Sequence, residues 1–189
     1  MPVGSYTKDQ IREIAEEIGI PVAHKPDSQE ICFIPDHDYA KYIRENTDTE
    51  LPPGNFVDLD GNILGKHLGI TYYTVGQRKG LNLSMGKPVF VVEIRPETNE
   101  VVIGDSKDVF SDHLTCDHLN WMSVDGLHGE TMKVTAKIRY SHKGAPCEIR
   151  EIGPDLVEVQ FEEPQRAITP GQAVVFYDGD YVVGGGVIR

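Results

Sequence analysis

From Leu51 to Arg189, short runs of β-branched and aromatic residues alternate with turn residues. The first runs are separated by Pro-Pro-Gly and Asp-Gly-Asn, which are hairpin signals. The later runs follow one another at the spacing expected of a small barrel or sandwich. Three consecutive glycines at 184–186 suit a strand that another backbone crosses closely. The sequence therefore predicts a mainly β protein.

An α-rich segment, residues 1–45, precedes these runs. Thr7 and Gln10 have the spacing of a capping box ahead of an isoleucine-rich apolar face, which predicts a helix that ends at Gly19. A second short helix is predicted over 36–46. This segment is too small to hold a core of its own, so we expect it to pack on other elements or to belong to a larger unit.

The composition is that of a soluble protein, with 39% hydrophobic and 25% charged residues. No apolar run approaches the roughly 18 residues of a membrane helix, so no membrane partner is expected. The cysteines, Cys32, Cys116 and Cys147, are odd in number and form no C-x-x-C pair, which favours a reducing compartment. We therefore expect a cytoplasmic protein.

The formal net charge of −12 by itself argues against a nucleic-acid partner. The cations are concentrated, however, in two strips. Residues 66–87 hold four cations and no acid, and residues 131–150 hold five cations and one acid. Such strips can bind a phosphate backbone, because contacts depend on the local field within about 8–10 Å. Ordinary solvated strand faces explain the charges equally well.

Cys32 lies in the segment DSQEICFIPD, residues 27–36, between apolar neighbours. A cysteine in an apolar run is usually an inert core residue. Nearby carboxylates would raise the pKa of its thiol, and nearby basic residues would lower it. The local sequence leaves both an inert and a reactive thiol open.

Three polar segments could bind a ligand. In YYTVGQRKGLNL, residues 72–83, an amide and two cations (Gln77, Arg78 and Lys79) lie between two glycines. Such a loop can bind phosphates or the edges of sugars, and an ordinary polar hairpin loop explains the residues equally well. In AKIRYSHKGAPCEI, residues 136–149, strand alternation would point Arg139 and Tyr140 to opposite faces, so one of them could be core. The third segment, residues 163–180, offers three exposed polar candidates: Gln165, Arg166 and Gln172.

No metal site is predicted, because His113, Cys116 and His118 lack a fourth ligand at useful spacing. The sequence also contains neither a G-x-x-x-x-G-K-[ST] nor a G-x-G-x-x-G motif, so it shows no nucleotide-binding loop of these types.

Taken together, the segments 27–36, 53–81, 136–149 and 164–188 resemble the tRNA-specific 2-thiouridylase family, MnmA/TrmU. The similarity runs over essentially the whole chain and keeps the motifs in order. It implies a central β domain and a C-terminal six-stranded antiparallel β-barrel similar to the second domain of elongation factor Tu. The implied domains are 1–45, the end of an ATP-pyrophosphatase domain, followed by 46–110 and 111–189.

The resemblance also implies an activity and site residues. The family is a sulfurtransferase that uses ATP and a protein persulfide to thiolate C2 of the wobble uridine of tRNA. Cys32 matches the persulfide cysteine, and the implied partners are tRNA and a sulfur-relay protein or cysteine desulfurase. Arg139, Tyr140 and Gln172 match residues that contact tRNA. We also expect tRNA contacts from the following residues: Gln77, Arg78, Lys79 and Arg166.

The sequence departs from the family pattern in lacking its S-G-G-x-D-S ATP-binding loop and the first catalytic cysteine. We therefore expect a fragment, either an artificially shortened chain or a truncated reading frame, that is inactive alone. Two alternatives are a tRNA-binding β-barrel module without sulfur transfer and a translation-factor-like barrel.

Overall fold

The computed structural model of the chain describes residues 3–25, 34, 39–46 and 52–189. The chain divides into two compact units, Met1–Asp48 and Thr49–Arg189. The described part of the first unit contains helices α1, Lys8–Glu17, and α2, Tyr39–Asn46. Neither described helix is long and apolar enough to cross a membrane.

Helix α1 begins as the sequence predicts. The Thr7 side chain accepts a hydrogen bond from the Gln10 backbone N–H, and the Gln10 side chain accepts one from the Thr7 N–H, so the capping box is complete. Gly19 follows the helix with a φ of 74°, a conformation that glycine adopts without strain. The second helix is also confirmed over Tyr39–Asn46, whereas its predicted caps, Asp36 and Asp38, lie outside the described residues.

The second unit begins with a four-stranded sheet in the order β2-β1-β4-β3. Strands β1 and β4 pair in parallel, and the other two pairs are antiparallel. The predicted hairpin between β1 and β2 is confirmed, because the Asp58 carboxylate accepts hydrogen bonds from the backbone of Asp60 and Asn62 and closes the turn. The strands of this sheet are β1 Gly54–Val57, β2 Ile63–His67, β3 Phe90–Arg95 and β4 Glu100–Gly104.

The run ITYYTVG, residues 70–76, has the aromatic and β-branched residues typical of a strand but forms no strand. Residues Ile70–Tyr72 form a 3-10 turn. The chain turns after Gly69, whose φ is 135° and whose N–H donates to Nδ1 of the buried His67. Tyr73 then packs edge-to-face on His67 and Phe56 in the core of the sheet. Core packing and a glycine turn therefore override the strand propensity.

The rest of the second unit is a closed barrel of six strands in the order β10-β5-β8-β7-β6-β9. All neighbouring pairs are antiparallel. The fold prediction of a mainly β chain with a small sheet and a six-stranded antiparallel barrel is therefore confirmed. The predicted domain boundaries stay predictions. The barrel strands are β5 Phe110–Trp121, β6 Thr131–Lys137, β7 Ala145–Gly153, β8 Leu156–Arg166, β9 Ala173–Asp178 and β10 Tyr181–Ile188.

The triglycine of β10 lies where the barrel closes. A Cβ on Gly184 would come within 2.8 Å of the Asn120 carbonyl oxygen, and one on Gly185 would overlap the Val174 carbonyl oxygen. These carbonyls belong to β5 and β9, the two neighbours of β10. The predicted close approach of another backbone is therefore confirmed, and it comes from both sides.

Candidate nucleic-acid interface

Two adjoining depressions in the second unit share Arg139 and Gln172 in their linings, and we call them together the Arg139 groove. One depression, of about 350 Å³, lies between residues 74–76 and the barrel. The other, of about 320 Å³, extends over the outer surface of β6 and β9. Among the described residues, neither lining contains a carboxylate. The groove is therefore a local cationic surface on an acidic chain.

Arg139 lies just after β6, on the exposed surface of the barrel. Its Nη1 donates a hydrogen bond of 3.0 Å to the backbone carbonyl of Arg166. Within residues 52–189, no carboxylate forms an ion pair with it, in contrast to Arg150, which pairs with Glu158 at 2.7 Å. A carbonyl partner orients the guanidinium without neutralising it, so its charge stays available to an anion.

Tyr140 and Gln172 accompany Arg139 in the groove. Tyr140 is fully exposed, so its ring is accessible for stacking. The prediction from strand alternation that one of Arg139 and Tyr140 could be core is wrong, because β6 ends at Lys137 and both residues lie beyond the strand and are exposed. The backbone of Gln172 is fixed by hydrogen bonds to Thr169 and Ile188. Its side chain lines both depressions, so an amide lies beside the cation.

Arg166 is half-buried and connects the barrel to the loop before β3. Its Nη2 donates to the Gly76 carbonyl at 3.4 Å, and its guanidinium lies 5.5 Å from the centre of the Phe90 ring. Gly76 has a φ of 85°, and a Cβ there would come within 2.7 Å of the Ala167 Cβ. These contacts give Arg166 a structural role, and it also lines the groove.

The Gln77–Lys79 segment divides into one structural and two exposed side chains. The Gln77 amide is used within its own loop, since its oxygen accepts from the Thr74 N–H and its nitrogen donates to the Lys79 carbonyl, both at 3.0 Å. Arg78 and Lys79 are exposed, and no carboxylate of the described chain pairs with them. Neither of them lines the Arg139 groove.

The predicted persulfide cysteine, Cys32, lies outside the described residues. The other two cysteines are buried inside the barrel. Burial disfavours the thiolate and raises the pKa of both Cys116 and Cys147 to about 12. The Cys147 thiol also donates to the Val134 carbonyl at 3.6 Å. These two thiols are therefore core side chains with very little thiolate at neutral pH.

His113, Cys116 and His118 do not come together as zinc ligands. Cys116 points into the barrel core, whereas His113 and His118 are exposed beside the carboxylates of Asp112 and Asp117. Across the described residues, no group of three or more His, Cys, Asp or Glu side chains could hold a metal ion.

Sequence reasoning missed one pair in the groove, Lys137 and Tyr177. The Lys137 ammonium lies 5.3 Å from the centre of the Tyr177 ring. The two residues are 40 positions apart in sequence and come together only through the pairing of β6 with β9.

Comparison with known families divides the chain into three consecutive matches. Residues 1–36 match the tRNA methyl transferase HUP domain, and residues 40–105 match the tRNA methyl transferase PRC-barrel domain. Residues 111–188 match the aminomethyltransferase β-barrel domain.

Curated relatives match over the whole chain. It is 60% identical over 188 residues to the tRNA-specific 2-thiouridylase MnmA of Lachnoclostridium phytofermentans and 59% identical over 189 residues to that of Acetivibrio thermocellus. Each alignment covers 100% of this chain and 52% of the relative. The MnmA of Clostridioides difficile is 53% identical over the same share. The chain thus spans about half the length of the curated relatives it matches, and it belongs to the tRNA-specific 2-thiouridylase family, MnmA/TrmU.

Proposed function

We propose that this chain supplies the tRNA-binding surface and the sulfur-carrying cysteine for 2-thiolation of the wobble uridine of tRNA. The observation that carries the proposal is the Arg139 groove, in which an unneutralised guanidinium lies beside a fully exposed tyrosine and an amide. Family membership supports tRNA as the ligand, because the relatives are named for acting on tRNA.

The three residue types suit three different parts of an RNA ligand. Arg139 presents a planar, permanently charged donor to a phosphate. Tyr140 offers a ring face on which an unpaired base can stack. Gln172 has both a donor and an acceptor for a base edge or a ribose hydroxyl. The groove therefore combines backbone and base recognition within one open surface.

Arg166 acts in this proposal as a positioning residue. Its carbonyl accepts the hydrogen bond from Arg139, while its own guanidinium is held by Gly76 and Phe90. The same residue thus orients the phosphate-binding cation and ties it to the loop that carries Arg78 and Lys79. Those two exposed cations would extend the interface to a second phosphate.

The assignment of the sulfur carrier to Cys32 is supported by elimination. A cysteine that accepts sulfur must attack as a thiolate, and both Cys116 and Cys147 are buried with the pKa raised to about 12. We therefore propose that Cys32 receives the sulfur as a persulfide from a cysteine desulfurase or a relay protein. Transfer of its terminal sulfur to C2 of the uridine would displace the 2-oxygen and would need two electrons, which a second thiol would supply by forming a disulfide with Cys32.

ATP belongs to the proposed reaction, but the described residues do not fit its phosphates. At the N-terminus of α1, the capping box already engages the amides of Thr7 and Gln10. A cytoplasmic location is part of the same proposal.

The binding half of the proposal is tested with an unmodified tRNA transcript that carries a wobble uridine. Arg139→Ala should weaken binding and reduce the slope of log K against log salt by about 0.7–0.9, the value for one phosphate contact. Arg150→Ala is the matched control, because Arg150 is exposed on β7, is paired with Glu158 and lies outside the groove lining. Equal slopes for both variants and the unmodified chain would refute the contact.

The sulfur half is tested by incubating the chain with a cysteine desulfurase and sulfur-labelled cysteine. Label should bind the chain and be released by reductant, and Cys32→Ala should lose it. Cys147→Ala should keep the label and serves as the control. Retention of the full label by Cys32→Ala would exclude the sulfur role and leave the alternative of a tRNA-binding module.

A further inference from the structure

We propose that Lys137, held in place by the ring of Tyr177, is a further phosphate-binding residue of this interface. The inference rests on the proposed function, since it assigns a second cation to the groove that contains Arg139. The phosphate would belong to a nucleotide next to the one that Arg139 binds.

The strand register places Lys137 and Tyr177 on the outer surface of the barrel. In the pairing of β6 with β9, Ala136 lies opposite Phe176, and both side chains are buried in the core. Their neighbours along each strand therefore point outward. Lys137 lies opposite Val175, so Tyr177 is its diagonal neighbour on the same face, within reach of a long side chain.

The lysine side chain has a neighbour beside its stem and another at its ammonium. A Cβ built on Gly144 would lie 3.6 Å from the Lys137 Cγ and 3.8 Å from its Cε, so the glycine leaves room beside the stem. At the far end, the ammonium lies 5.3 Å from the centre of the Tyr177 ring. A lysine whose ammonium already contacts a ring has less side-chain entropy to lose when it binds an anion.

The charge of Lys137 is not neutralised within the protein. No carboxylate of residues 52–189 forms an ion pair with it, and the lining of its depression contains none. An aromatic ring attracts a cation without cancelling its charge. Lys133, four residues earlier on the outer face of the same strand, has a carboxylate residue directly opposite it in the strand register, Glu148 of β7. The environment of Lys137 therefore suits an anionic ligand.

The position of Lys137 fits an extended RNA strand. Lys137 and Arg139 line the same depression of about 320 Å³, with Tyr140 beside them. A stacked base on Tyr140 would leave its flanking phosphates near these two cations. This arrangement of cations around an aromatic platform is typical of sites for unpaired nucleotides.

The test compares Lys137→Gln with Lys133→Gln in binding of the unmodified tRNA transcript by the full 189-residue chain. Both substitutions remove one positive charge from the same face of β6, at positions about 13 Å apart along the strand. Lys137→Gln should reduce the salt slope by about 0.7–0.9 and weaken binding about five- to eightfold at 0.1 M salt. Lys133→Gln should change the salt slope and the affinity only slightly, through a long-range electrostatic effect. Equal effects of the two variants would overturn the proposal.

The role of the ring is tested by Tyr177→Phe, which keeps the cation–π contact, and Tyr177→Leu, which removes it. We expect unchanged affinity for the first and weaker binding for the second, with no further loss when Tyr177→Leu is added to Lys137→Gln. Additive losses would show that the ring does not act through the lysine.

The two proposals fail in different ways. If Arg139→Ala has no effect on binding, the proposed function fails. If Arg139→Ala weakens binding while Lys137→Gln and Lys133→Gln are equal, only the Lys137 contact is wrong. Thermal unfolding of every variant shows whether it is folded, and Lys137→Gln remains a valid test even if Tyr177→Leu is unstable, because it removes no core side chain.

Discussion

A Cys32→Ser variant retains only Cys116 and Cys147, and we expect these thiols to be almost unreactive in the folded chain. Both lie in the barrel core, with 0% and 3% of their surface exposed. Their thiols have the pKa raised to about 12 by burial. Because only the thiolate reacts with disulfide reagents, this shift alone slows the reaction before any effect of access is counted.

The size of the effect follows from the thiolate fraction. At pH 8 a thiol of ordinary pKa, about 8.5, is roughly a quarter thiolate, whereas one with a pKa of about 12 has a fraction of about 10⁻⁴. The thiolate population is therefore about 2,000-fold smaller than that of a thiol in an unfolded peptide, and the rate falls by a smaller factor because a more basic thiolate is intrinsically more nucleophilic. Exclusion of the reagent from the barrel makes the reaction slower still, since reaction then waits for the barrel to open.

The assay measures release of the coloured thiol from an aromatic disulfide reagent at pH 8. The folded Cys32→Ser variant should release almost nothing during the time in which a cysteine peptide reacts completely, and the same variant in guanidinium chloride should release two equivalents per chain. The unsubstituted chain should show one additional fast thiol if Cys32 has its proposed role. A fast reaction of the folded variant would refute the burial argument and the assignment of sulfur transfer by elimination.

Three further predictions concern the closure of the barrel, the core of the small sheet and the contacts of Arg166. Gly185→Ala should destabilise the barrel by about 1–3 kcal/mol in thermal unfolding, because its Cβ would overlap the backbone of β9. Gly153→Ala, whose Cβ would have ordinary contacts, is the control. Equal destabilisation by the two substitutions would contradict the backbone overlap as its cause. Burial lowers the pKa of His67 below its unfolded value of about 6.5, so its contribution to stability is full above that pH and is lost as the pH falls through the lowered pKa. Below about pH 6.5, the free energy of unfolding of His67→Gln should therefore depend less steeply on pH than that of the unsubstituted chain, and an unchanged dependence would contradict the buried neutral ring. Arg166→Met should weaken tRNA binding through loss of its contacts with Gly76 and Phe90, and binding equal to that of the unsubstituted chain would exclude the positioning role.

The sequence predicts those parts of the fold that local chemistry determines. The capping box of α1 and the hairpin turn at Asp58 both depend on residues a few positions apart. The triglycine also predicted a close backbone approach, because only a missing side chain permits it. Local propensity does not predict the conformation around Tyr73. Tyrosine favours strands, but here Tyr73 lies outside any strand and its ring packs on Phe56 and His67 in the core of the sheet.

The candidate site was only partly predictable from the residues. The family resemblance identifies Arg139 and Tyr140, but strand alternation predicts wrongly that one of them could be core, because the end of β6 at Lys137 is set by tertiary structure. The pairing of Lys137 with Tyr177 depends on the register between two distant strands, which no local pattern specifies. The assignment of Cys32 still depends on the family resemblance and on the burial of the other two thiols.

Closure of the barrel by β10 has a consequence for synthesis of the protein. β10 is the last barrel strand in the sequence, yet it pairs with β5, which begins 71 residues earlier at Phe110. Until residues 181–188 leave the ribosome, β5 and β9 each present an unpaired edge, and open strand edges favour association between chains. Completion of the barrel must therefore follow translation of this strand, and we expect nascent chains that stop before Tyr181 to be the species that most need a chaperone.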